Sequence, residues 1–108
     1  MDYFYAIAEP HRRKIIELLA DEGQLSASQI YAKFDVTAQA VSQHLKVLLD
    51  TKFVKMERHA QQHIYQLNPD SISEIAMWVS KMEALWDGRL DKLDAILKSE
   101  IAKDAKKR

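Results

Sequence analysis

The clearest pattern in this chain is how apolar and polar positions sort between Ser26 and Leu49. At about 100° per residue on a helix, Val41, Leu45 and Leu48 fall on one face, and Gln39, Ser42, Gln43 and Lys46 fall together on the opposite one. Thr37 precedes this run as an N-cap, and Asp35-Val36-Thr37 forms a tight turn before it. Upstream, Ser26-Ala27-Ser28-Gln29 is a capping box, a Ser cap with Gln three positions later, which opens a first short helix. Two short helices joined by about four residues make a helix-turn-helix. The second helix, over 38–49, buries an apolar stripe and presents side chains suited to base edges and phosphates.

The alternation changes after Leu49. Val54 to Glu57 and His63 to Leu67 alternate apolar with polar positions, as strands do, and His59-Ala60-Gln61-Gln62 connects them. The spacing predicts a β-hairpin wing over about 54–67. Glu9-Pro10 starts a helix to about Ala20, ended by Asp21-Glu22-Gly23. Asn68-Pro69 starts the last helix, with Asn68 as its cap, to near Lys98. Along it Ile72, Ile75, Val79, Met82, Trp86, Leu93 and Ile96 recur at alternating spacings of three and four, skipping only Arg89, close to a heptad seam. Trp78, Leu85, Leu90 and Leu97 widen that surface. The expected fold is mainly α with a small β-hairpin wing: one winged helix-turn-helix domain over 1–108 with a long C-terminal dimerisation helix. The tail over 101–108 is expected to be disordered.

Composition narrows the function. The 108 residues carry no net charge, yet Lys46, Lys52, Lys55 and Arg58 outnumber Asp50 and Glu57 on and after the second helix of the motif. The absence of cysteine excludes disulfides and thiolate metal sites. No basic stretch followed by an apolar core marks a signal peptide, and no apolar run is long enough to span a bilayer. The chain is read as cytoplasmic, with no membrane partner. No phosphate-binding glycine loop, activated nucleophile or clustered carboxylates mark an enzyme.

Four patches together resemble the ArsR/SmtB family of winged-helix repressors: Ala8 to Leu19, Leu25 to Ile30, Gln39 to Leu48 with its Ala-Val-Ser-Gln-His-Leu-Lys string, and Ile64 to Leu67. Trp86 to Leu93 is similar to a subgroup of the family that lacks metal sites and includes autorepressors. The resemblance implies a homodimeric transcriptional repressor, paired through its first and last helices, with recognition helices in the major grooves of a double-stranded DNA operator. The sequence departs from the family pattern in two places. Lys52 stands where a Gly is usual after the recognition helix, and His59-Ala60-Gln61-Gln62 stands where the wing usually has Gly-Arg.

The expected DNA contacts follow. Gln39, Ser42 and Gln43 reach base edges, where Gln can pair with adenine in two hydrogen bonds. Lys46 takes a phosphate, and His44 lies beside the apolar stripe, where it either touches phosphate or packs. Arg58 and His59 stand at the wing, and Ser26 and Thr37 cap helix N-termini that also suit phosphates. Arg12, Arg13 and Lys14 in a first helical turn call for something acidic nearby, either a phosphate or acidic groups such as Glu9 or Glu17. Dimerisation is assigned to Tyr3, Phe4, Ile7, Val79, Met82, Trp86, Leu90, Leu93 and Leu97.

No cofactor and no metal are expected. Asp87, Asp91 and Asp94 lie on the last helix without any His, so they read as a solvated face. Two rival functions remain: a protein-interaction module on the same scaffold, and a repressor released by an apolar effector bound near Met77, Trp78, Met82 and Trp86.

Overall fold

A computed structural model describes the backbone of residues 2–107 and the side chains of residues 2–101. The described residues fall into two units, one ending at Ile75 and one starting at Ala76.

The first unit is built from α1 (Tyr3–Ile7), α2 (Pro10–Glu22), β1 (Gln24–Ser26), α3 (Ala27–Tyr31), α4 (Ala38–Asp50), β2 (Val54–His59), β3 (Gln62–Leu67) and the start of α5 (Pro69–Lys107). Short polar side chains begin these helices by taking otherwise unpaired amides. Asp2 accepts from the Tyr5 amide at 3.0 Å, Glu9 from Arg12 at 3.0 Å and Thr37 from Ala40 at 3.1 Å. At α3 the capping box closes both ways, with the Gln29 amide on Ser26 Oγ and the Ser26 amide on Gln29 Oε1. Asn68 Oδ1 accepts from the Asp70 amide at the start of α5.

The core gathers Ile15 and Leu19 of α2, Ile30 of α3, the stripe Val41, Leu45 and Leu48 of α4, and Phe53 and Tyr65. The wing is part of a three-stranded antiparallel sheet in the order β1-β3-β2, not a free hairpin. Leu25 pairs with Tyr65, and Val54 pairs with Leu67. The hairpin's far end reaches into solvent: beyond Val54, every residue of β2 is exposed.

Three expectations differ from the structure. Tyr3, assigned to the dimer surface, is buried in its own core and meets the Phe53 ring edge-on at 5.7 Å. Among the described residues neither Arg12 nor Arg13 pairs with a carboxylate; Arg12 is buried and Arg13 stays exposed. Arg12 Nε donates to the Ala6 carbonyl at 2.8 Å and Nη2 to the Tyr5 carbonyl at 2.9 Å, while Arg13 Nη1 donates to the Ile7 carbonyl at 3.1 Å. In place of an acidic group the two guanidiniums use the carbonyl end of α1, the negative end of its dipole; the Tyr5 carbonyl there also accepts from the Ala8 amide at 3.2 Å. The tail expected to be disordered is helical through Lys107; the apolar repeat stops, but Ala and Lys favour helix without it. Arg108 lies outside the described residues.

The second unit is the part of α5 from Ala76 on. Leu85, Trp86, Leu90, Leu93, Ile96 and Leu97 on it are each 44–60% exposed. No described helix is long and apolar enough to cross a membrane.

Candidate nucleic-acid interface

The outer face of α4 is set by how the helix is held at each end. Thr37 fixes its start. At its end, the Phe53 amide bonds the Leu48 carbonyl at 2.9 Å and the Lys52 amide bonds that of Leu49 at 3.0 Å. This is a Schellman ending, sealed by contact between positions equivalent to Leu48 and Phe53, both fully buried here. It requires a left-handed residue, and Lys52 supplies it at φ 59°.

With Val41, Leu45 and Leu48 locked inward, Gln39, Ser42, Gln43 and Lys46 are all exposed on the outer side of α4. The structure therefore brings these four residues together, with Thr37 exposed at the helix start. Arg58 and His59 are exposed on β2, where His59 Nε2 lies 3.1 Å from Glu57 Oε2. Val54 to His59 pair residue for residue with Leu67 to Gln62, so the chain reverses through Ala60 and Gln61 alone. Ala60 takes a left-handed φ of 56° there, a conformation tight hairpins usually give to Gly or Asn.

Two members of the expected DNA-contact set sit elsewhere. Ser26 is buried, and its hydroxyl accepts from the Gln29 amide as the cap of α3. His44 turns from the outer face toward α2. Its ring stacks on His11, with centroids 5.3 Å apart and planes within 8°, and its Nδ1 lies 3.6 Å from Glu9 Oε2. His11 Nδ1 is 2.8 Å from Glu9 Oε1. Burial pushes the Glu9 carboxyl up, but the hydrogen bonds from His11 and the Arg12 amide and the charges of His44 and His11 outweigh it and hold the group below its usual range. Nothing in the sequence around His44 points to these partners, since Glu9 and His11 lie more than 30 residues away in the chain.

Comparison with known proteins supplies the context for this face. A helix-turn-helix domain model matches residues 7–57. The transcriptional repressor SdpR of Bacillus subtilis is 32% identical over 70% of this chain and 83% of its own length. The HTH-type transcriptional regulator Rv2034 of Mycobacterium tuberculosis is 30% identical over 88% of this chain and 85% of its own. An ArsR-like transcriptional regulator from Rhodococcus superimposes with a TM-score of 0.74 at 25% identity, over 89% of this chain and 87% of that one. A relative matched over most of its length, a shared fold and an outward polar recognition helix agree: the chain belongs to the ArsR/SmtB family of winged helix-turn-helix transcriptional repressors, which are DNA-binding regulators and not enzymes.

Proposed function

We propose that the chain represses transcription as a homodimer on a near-palindromic operator, its two α4 helices entering major grooves one helical turn apart or a multiple of that. The observation that carries this reading is the division of α4 between a buried stripe and the exposed set Gln39, Ser42, Gln43 and Lys46. Gln39, Ser42 and Gln43 read base edges; Lys46, Thr37, Arg58 and His59 hold phosphates. A DNA partner places the protein in the cytoplasm.

The dimer surface draws on Phe4, Ile7, Val79, Met82, Trp86, Leu90, Leu93 and Leu97. Its support is the exposure of Trp86, Leu90, Leu93 and Leu97 to water in the single chain. Full burial of such a side chain contributes about 1.5–3 kcal/mol, and these are about half exposed, so a second copy of the same helix stands to gain roughly half of that at each.

Selection of the purified protein against a randomised duplex pool at two salt concentrations tests the reading. The expected result is a palindromic consensus whose binding weakens with salt. Gln43→Ala should relax preference at one position in each half-site. Absence of any enriched sequence at either salt would count against DNA recognition by this face.

A further inference from the structure

We propose that Glu9, His11 and His44 form a binding site for one divalent transition-metal ion of the zinc class, bridging the first turn of α2 and the recognition helix α4. This departs from the metal-free expectation, which considered thiolates and the last helix but not this corner of the fold.

The donor set is the first argument. Two imidazoles and a carboxylate suit zinc and its neighbours, whereas magnesium and calcium prefer oxygen donors throughout. Geometry is the second. One donor atom from each of the three residues lies within 4.8 Å of the other two. A tetrahedral ion with bonds of about 2.0–2.1 Å holds its donors roughly 3.4 Å apart. The 2.8 Å pair must open slightly and the widest pair must close, adjustments that side-chain torsions can make. The near-parallel imidazoles set one further requirement: an ion must lie in the plane of each ring, so one ring has to turn about its broad terminal torsion.

The surroundings permit an ion. The side chains of Glu9, His11 and His44 are 29%, 43% and 22% exposed, which leaves an entry path and room for a water as fourth ligand. Glu9 is anchored by the Arg12 amide and so is already aimed. The neighbouring cations are directed elsewhere, Arg12 and Arg13 to the α1 carbonyls and Lys14 to the Phe34 ring, with its Nζ 5.0 Å from the centroid. An ion bound here would tie α4 to α2 through His44.

The chain has four histidines, so the test can cover every imidazole. The full chain, stripped with chelator, is titrated with zinc chloride against a chromophoric competitor, and then with cobalt(II) to read coordination from its visible spectrum. The expected result is one ion per chain with a tetrahedral cobalt spectrum. His11→Ala and His44→Ala should each lower affinity by at least about 10-fold, since loss of a supporting outer-shell group alone costs that much. Glu9→Gln, which keeps a capping oxygen, should weaken binding as well. The paired wing variant His59→Ala/His63→Ala should bind as the parent does. Circular dichroism confirms that each variant is folded. No binding by the parent overturns the proposal, as does binding that survives His11→Ala or is lost with the wing pair. None of these readouts involves DNA, so they stand apart from the operator test.

Discussion

Lys52 is the point where the fold accepts a cost that another residue would avoid, and replacing it with glycine should stabilise the protein. The Schellman ending of α4 needs a left-handed residue between Thr51 and Phe53, and Lys52 holds φ at 59°. That conformation costs an ordinary residue about 1–2 kcal/mol. Glycine removes the cost but regains freedom in the unfolded chain, worth about 0.5–1 kcal/mol against it. The side chain of Lys52 is exposed, so little packing is lost, and its carbonyl still accepts from Asn68 Nδ2 at 2.9 Å. With both terms at mid-range Lys52→Gly should therefore gain about 0.8 kcal/mol, or roughly 2–6 °C in Tm for a chain of this size. Lys52→Ala keeps the left-handed strain and should stay within about 0.5 kcal/mol of the parent. Urea unfolding at one fixed chain concentration measures both, because the proposed dimer would make stability concentration-dependent. A Lys52→Gly variant no more stable than the alanine variant would refute the argument, since strain relief is the only term that separates them in this direction.

Three further outcomes are expected. Arg12→Met leaves the Tyr5 and Ala6 carbonyls without their charged donors and should cost about 2–4 kcal/mol in urea unfolding; the salt dependence of DNA binding by the folded variant should not change, because Arg12 does not reach phosphate. Glu9 has a carboxyl held below its ordinary 4.5, so its contribution to stability is present above that value and is lost as pH falls through the depressed one. Glu9→Gln should accordingly flatten the acid limb of stability against pH, and identical limbs for the two proteins would contradict the assignment. Leu93→Glu places a charge on the exposed apolar run of α5 and should shift sedimentation from dimer to monomer while the circular dichroism of the wing and α4 persists.

Local signals carried most of the fold. The stripe of α4, the capping box at Ser26 and the caps at Thr37 and Asn68 are short-range features, and each is where the sequence places it. β1 was not visible: Gln24, Leu25 and Ser26 are too few to show alternation, and they become a strand only because β3 offers an edge. Tyr3 shows the same limit. An aromatic residue near a terminus suits a partner surface or a core equally well, and only the packing against Phe53 decides. At the site, helical geometry settled which side chains of α4 face outward. It could not settle where His44 turns, because His11 and Glu9 come from a distant part of the chain and meet it only after α2 and α4 pack.

The internal use of Arg12 and Arg13 bears on how strongly this neutral chain can hold DNA. With Arg12 buried and both guanidiniums directed to α1 carbonyls, the cations on and just after the recognition helix are Lys46, Lys52, Lys55 and Arg58, all exposed. If each met one phosphate, a dimer would make eight such contacts. At about 0.9 counterions released per phosphate, the slope of log affinity against log salt could then reach about −7 and no steeper. Lys46→Ala should make the measured slope shallower by about one unit per phosphate contact removed, and should weaken all duplexes alike. Fluorescence anisotropy on one duplex across a salt series gives the number. A parent slope well beyond −7 would mean that cations outside α4 and the wing also reach the backbone. Lys33, exposed in the turn before α4, would then be the first to examine, and the division of labour drawn between α2 and α4 would have to be withdrawn.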